Sequence, residues 1–305
     1  MIGPFADCEH NPLLTPTTGF EAKAVYNPAV IVVGGVFHML YRAEAGDGCT
    51  GRIGLAEGRD GIRFSRHPEP VIVPEHDYEA GGCEDPRIVR IGDTFYLTYV
   101  GCPGEGRGCH ICLATSRDLV HWEKCGPILR PSHVWACRQA KAGAILAGAH
   151  GCASCGKYVM YFMGEAEPWE TAIGIAYSDD LLHWYEPLDE PVLRPRPGHF
   201  DSKGVEPGPP PVLLDEGILL VYNGWGDDHV YKPGWALFSR EQPHQVLARC
   251  DEPILEPAVN WGERFGVTNH VVAESLFWHR GHWLLYYGAA DRVVCLAYSH
   301  RGHWG

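Results

Sequence analysis

Pro70-Val71-Ile72-Val73-Pro74 is one of five copies of a Pro-apolar-apolar-x-Pro unit, and its recurrence decides the fold. The other copies are Pro12-Leu13-Leu14-Thr15-Pro16, Pro127-Ile128-Leu129-Arg130-Pro131, Pro191-Val192-Leu193-Arg194-Pro195 and Pro253-Ile254-Leu255-Glu256-Pro257, at intervals of 58, 57, 64 and 62 residues. An alanine-centred strand recurs in step: Gly54-Leu55-Ala56, Cys112-Leu113-Ala114, Gly174-Ile175-Ala176, Trp235-Ala236-Leu237 and Cys295-Leu296-Ala297. So does a hairpin with an aromatic second strand, as in Phe37-His38-Met39-Leu40-Tyr41 and Tyr158-Val159-Met160-Tyr161-Phe162. Each repeat reads as four short strands, and helical periodicity is absent. Five such units predict an all-β, five-bladed propeller spanning 1–305 as a single domain. The last repeat has no Pro-bounded unit after it and the first unit has no blade before it. The N-terminal segment around Leu13-Leu14 is therefore expected to complete the fifth blade.

Composition excludes several function classes. The formal charge is −13, with no Lys/Arg cluster, which argues against a nucleic-acid surface. Gly and Pro together number 61 and are spread along the chain, so they mark turns and not a disordered tail. Residues 1–20 lack the charged-then-apolar pattern of a signal peptide, and no apolar run reaches membrane-span length. A cytoplasmic protein is expected, with free thiols for its 12 cysteines. No Gly-rich phosphate loop, Ser-His-Asp order or nucleotide motif stands out, so no cofactor is expected. Oligomeric state is left open between a monomer and a homo-oligomer.

In a propeller the innermost strands line the axis. The candidate inner strands open at Asn27-Pro28, Glu84-Asp85-Pro86-Arg87, Lys141-Ala142-Gly143, Glu206-Pro207-Gly208 and Asn269-His270. A residue before proline is pushed to extended geometry, so Asp85 should enter its strand without joining a regular ladder, and Arg87, two residues on, should point the same way. From that hexapeptide alone, a structural ion pair is as good a reading as acid or sugar chemistry. Charges from several blades gathered round one axis shift the balance toward a functional site. Inverting glycoside hydrolysis needs two carboxyl groups ~6.5–9.5 Å apart, and Asp85 and Glu206 come from different blades. Glu165, ending an aromatic strand, is a third carboxylate, readable equally as a solvated strand end.

The ordered motifs Asn27-Pro28-Ala29, Leu40-Tyr41-Arg42, Arg52-Ile53-Gly54, Glu84-Asp85-Pro86-Arg87, Pro207-Gly208-Pro209, Gly234-Trp235-Ala236 and Tyr287-Gly288-Ala289-Ala290-Asp291 resemble glycoside hydrolase family 130, the mannoside phosphorylases and β-mannosidases. The resemblance implies a five-bladed propeller acting on a small oligosaccharide. It makes Asp85 the general acid, its proton passing through a sugar hydroxyl in the phosphorylases, and places Asn27, Arg42, Arg52, Arg87 and Asp291 around the mannose. Where the phosphorylases carry a His-Arg pair, this chain has Gly164-Glu165; their Arg-Asn reads Lys141-Ala142; their Gly-Ala-Gly stretch reads Val205-Glu206-Pro207-Gly208. Carboxylates in place of phosphate ligands would repel a dianion and could polarise water. This looks like the hydrolase branch, with Glu206 as base, Glu165 as its partner and a β-1,2-mannoside as substrate. Lys203, near a phosphate-binding lysine of the phosphorylases, keeps release of mannose 1-phosphate as the alternative, and a non-catalytic sugar-binding propeller is the third.

Two further signals carry less. Cys109-His110-Ile111-Cys112 and Cys152-Ala153-Ser154-Cys155 could build a tetrahedral zinc site or be ordinary thiols. Trp225, Tyr231 and Trp261 could stack on sugar faces or pack blades, and Glu274 reads as structural.

Overall fold

Short apolar segments bounded by Gly, Pro and Asp turns cannot bury a face alone. In the computed structural model they form five antiparallel sheets in a ring. The structure describes residues 2–104, 106–130, 132–147, 156–256 and 259–299. Blade one runs outward through Ala24–Val33, Val36–Glu44, Arg52–Gly58 and Ser65–Arg66; blade two through Gly82–Ile91, Thr94–Cys102, His110–Ser116 and Glu123–Leu129. Blade three comprises Gln139–Ile145, Tyr158–Glu165, Thr171–Ser178 and Trp184–Tyr185. Blade four comprises Gly204–Pro207, Ile218–Trp225, Lys232–Phe238 and Val246–Arg249, with Val212–Leu213 also paired to its second strand. Blade five is Val271–His279, His282–Ala289 and Val293–Ser299, completed by Ala6–Asp7 from the N-terminus.

The ring therefore closes as expected, but through a different stretch. Ala6 and Asp7 pair with Tyr298 and Ala297, whereas Leu14 makes only an isolated bridge to Val294. The reason lies in the Pro-bounded unit itself. Its prolines lack the N–H a ladder needs, so the unit touches its sheet through one or two residues. Ile72 bridges Ile53 and Leu193 bridges Ile173 in the same manner.

The alanine-strand repeat has a packing cause. The residue two before its alanine lies opposite an aromatic of the second strand: Gly54 opposite Tyr41, Gly174 opposite Phe162, Gly234 opposite Tyr222, Cys112 opposite Tyr99 and Cys295 opposite Tyr287. At the glycines the ring covers the backbone, so that a Cβ on Gly174 would sit 2.5 Å from Phe162 and 2.6 Å from Trp135. Gly174→Ala is accordingly expected to lower stability by about 1–3 kcal/mol, read as a lower urea midpoint at unchanged slope. A midpoint equal to wild type would show that the rings yield freely.

Blades are also tied across their inner strands. Ser275 Oγ accepts from Val30 N–H (2.7 Å) and donates to Pro28 O (3.0 Å), joining blades five and one. Thr98 Oγ1 donates to Gly143 O, Thr171 Oγ1 to Val205 O, and the Asn223 amide exchanges two bonds with the Ala273 backbone. These bonds satisfy backbone groups that radial packing leaves outside any ladder, and they fix the inner strands that carry the site.

Candidate active site

Four of the five inner strands share one irregularity. Register shifts fall between Tyr26 and Ala29, Glu84 and Arg87, Lys141 and Ala144, and Ala273 and Ser275. Asn27 (φ 49), Asp85 (φ 50) and Ala142 (φ 54) lie in the left-handed region, each followed by Pro or Gly. Asp85 is thus outside the ladder as expected but is not extended. Asn and Asp tolerate this conformation better than most residues, and it turns Asn27 and Asp85 into the cleft. Their equivalence across blades explains why they meet: Asn27 Nδ2 donates to Asp85 Oδ1 at 2.7 Å.

Arg42 Nη1 approaches the same Asp85 oxygen at 3.2 Å, and Glu84 Oε2 at 3.3 Å; its Nε donates to Thr50 O and its Nη2 faces Glu44 Oε1 at 3.3 Å. Lys141 Nζ sits 3.4 Å from Glu84 Oε2. Burial opposes ionisation of Asp85, but Arg42, Lys141, the Asn27 hydrogen bond and Arg87 outweigh it and hold the carboxyl below the usual value. Glu206 behaves oppositely: burial pushes it up to about 7, Asp85 adds to the rise, and Arg87 and Lys141 only partly counter it. Two neighbouring carboxyl groups with affinities driven apart are the electrical requirement for acid–base work near neutrality.

The raised Glu206 carboxyl bears on stability. The folded chain keeps a proton that the unfolded chain releases near its ordinary value of 4.5, so stability falls as pH rises from there to about 7. The full difference is about 3 kcal/mol. Glu206→Gln should remove this loss, giving a higher Tm than wild type at pH above 7 and little difference near pH 4.5. Parallel Tm–pH curves for the two proteins would contradict the assignment.

Arg87 does not share the cleft with Asp85, because the left-handed turn separates them. It lies almost fully buried beneath the floor, donating to Gly208 O (2.7 Å), Pro207 O (2.9 Å) and Asp85 O (3.3 Å). Its Nη2 is 2.9 Å from Glu274 Oε2, an ion pair lacking hydrogen-bond alignment. Glu274 is the residue displaced by the fifth blade's register shift, and burial drives its carboxyl well above the usual range. By register it takes the place in blade five that Pro86 holds in blade two, one residue beyond the position of Asp85. Asn269 and His270 precede that strand.

The cleft encloses about 580 Å³, within the range of small-ligand sites. Asn27, Arg42, Asp85, Lys141, Glu165, Glu206 and Asp291 all line it. Asp291 accepts from Thr268 Oγ1 at 3.3 Å and faces His270, and burial raises its carboxyl. Glu165 has both oxygens engaged, Oε1 by Trp169 N–H at 3.0 Å and Oε2 by Arg138 and Gln139. Trp225 and Tyr231 form an aromatic wall, their rings 4.4 Å apart. Lys23, Tyr26, Glu44, Arg138 and Trp169 also line the cleft; no repeat or motif marks them in the sequence.

Other candidates lie elsewhere. Arg52 pairs with Asp47 at 2.8 Å, and Lys203 with Asp227 at 2.9 Å; neither lines the cleft. Trp261 is buried against Phe265, not in a sugar-facing loop. Cys109 is bonded to Cys102 as a disulfide, which removes it as a zinc ligand and corrects the free-thiol expectation for that pair. Cys112 is a buried thiol, and Cys152 and Cys155 lie outside the described residues.

A family model described as beta-1,4-mannooligosaccharide phosphorylase, glycoside hydrolase family 130, matches residues 11–302. The chain is 35% identical to a 1,2-beta-oligomannan phosphorylase of Thermoanaerobacter sp. strain X514, over 94% of each chain. A glycosyl hydrolase structure from Bacteroides ovatus superposes with TM-score 0.85 at 30% identity, covering 98% of this chain and 94% of that one. A structure described with the finding that this family of mannoside phosphorylases contains glycoside hydrolases targeting β-1,2 mannosidic linkages in Candida mannan superposes with TM-score 0.85 at 31% identity, over 98% and 94%.

Proposed function

The chain belongs to glycoside hydrolase family 130, and on that premise we propose that it hydrolyses β-1,2-linked mannosides with inversion, water being the nucleophile. The observation that carries this reading is the charge arrangement of the cleft. Each lining Lys or Arg already faces a carboxylate: Lys23 faces Glu44; Arg42 faces Glu44, Glu84 and Asp85; Arg138 faces Glu165; Lys141 faces Glu84. A phosphate dianion entering there would meet Glu206 and Asp85 without a cation to spare, whereas water would meet a base.

The proton count closes. Water attacks the anomeric carbon on the face opposite the leaving oxygen and yields a proton to Glu206. The C–O bond breaks and its oxygen takes a proton from Asp85, directly or through a sugar hydroxyl. The pair therefore needs one proton, on Asp85 before the reaction and on Glu206 after it. The fields of the cleft favour the second arrangement, so the reactive one is a minor form of the singly protonated pair. Binding of substrate hydroxyls must favour the proton on Asp85. With both of Glu165's oxygens occupied, Glu206 is left as the water-activating group.

The activity named for the Thermoanaerobacter relative favours a second reading, phosphorolysis with release of mannose 1-phosphate. Early-time NMR of β-1,2-mannobiose cleavage in oxygen-18 water separates the two. Hydrolysis with inversion gives α-mannose labelled at the anomeric oxygen beside the unlabelled leaving sugar; labelled β-mannose appearing first would overturn inversion, and an uncleaved disaccharide in phosphate-free buffer would overturn hydrolysis.

A further inference from the structure

Trp169 has no part in the chemistry above, yet the chain holds it in an uncommon state. It sits in the hairpin between Tyr158–Glu165 and Thr171–Ser178 with φ 72, a left-handed conformation that bulky residues rarely adopt. Its residue surface is 44% exposed although it lines the cleft. A ligand whose apolar face covers an exposed aromatic at a cleft rim gains by removing that ring from water.

The ring is positioned and not merely exposed. It meets Trp225, His229 and Tyr231 of blade four at centroid distances of 6.0, 5.0 and 6.4 Å and interplanar angles of 82°, 75° and 62°, so none of them lies stacked in parallel on it. From below, the backbone N–H of Trp169 is held by Glu165 Oε1 at 3.0 Å. Glu165 is in turn anchored by Arg138 and Gln139, at the start of the neighbouring strand that carries Lys141. The cleft floor is the Asn27–Asp85–Arg42 cluster, where the terminal ring of a saccharide would be enclosed. A second ring linked to it would extend along the cleft lining, to which Trp169 belongs.

We propose that Trp169 is the platform for the leaving-group sugar, selecting di- and oligosaccharides over single sugars, and that Glu165 is a positioning residue that holds it there. This rests on the β-mannoside reading of the site. An apolar sugar face against an indole is worth about a factor of ten in affinity.

The test measures binding, so it does not depend on turnover or on the nucleophile. In an Asp85→Asn background, mannose and β-1,2-mannobiose are titrated by calorimetry into the otherwise unchanged protein, W169A and W169F. The expected result is a ratio of mannobiose to mannose affinity about tenfold lower in W169A and largely restored in W169F. An equal ratio in all three proteins overturns the platform, as does a ratio that falls equally in W169F. Circular dichroism of W169A identifies a folding defect; should it appear, W169L, which keeps apolar bulk without a planar face, is read in its place with the same criteria. If mannose binds neither the Asp85→Asn protein nor wild type, the β-mannoside reading itself fails, and the platform with it.

Discussion

Asp85→Asn is expected to lower turnover of β-1,2-mannobiose by about 10³-fold, the scale of a general acid, while leaving the fold intact. The amide can still accept from Asn27 and Arg42, so the bulge and its hydrogen bonds persist. What is lost is the proton. β-Mannosyl fluoride, whose leaving group needs no protonation, should therefore be cleaved by the variant within about tenfold of wild type. The same logic governs pH. With mannobiose, wild-type kcat/KM should fall above about 7 as the pair loses its shared proton, a limb set by the raised Glu206. With the fluoride that limb should vanish. Equal losses on both substrates in Asp85→Asn would remove Asp85 from proton donation.

Glu206→Ala should be as inactive on mannobiose as Asp85→Asn, for the opposite reason. Without the carboxylate, water is not activated, and the vacated space lies in the half-buried site beside Lys141 and Arg87. Azide, small and needing no base, should restore cleavage of β-mannosyl fluoride by about 10²-fold or more and yield α-mannosyl azide. Azide should do nothing for wild type. Absence of rescue, with the variant folded, would assign the base elsewhere, and Glu165 would be the next residue to test.

The ring of blades was readable because its cause is local. A second-strand aromatic requires a small residue opposite it, so Tyr41–Gly54 and Phe162–Gly174 recur with the period of the blade. Asp85 was readable for a similar reason, as a carboxylate fixed before a proline at an inner strand. What remained hidden depends on geometry that no spacing encodes. Glu274 is set apart by a bulge that lacks the Pro or Gly found in the other three. Arg87 departs from the direction its spacing predicts because a left-handed Asp85 breaks the alternation of a regular strand. The closing strand moved from Leu14 to Ala6–Asp7 because prolines bar a ladder in the more apolar segment. Cys102 and Cys109 pair across a loop of one blade, which a search for C-x-x-C spacing passes over. Trp169 stands alone in a hairpin and is visible only once blade four is placed beside it.

The measurement that tests the central claim most directly is product release from β-1,2-mannobiose, followed side by side with and without inorganic phosphate. The paired cations and paired carboxyl groups of the cleft predict free mannose at the same rate in both, with no mannose 1-phosphate. Cleavage that requires phosphate and yields mannose 1-phosphate would contradict it and make phosphate the nucleophile.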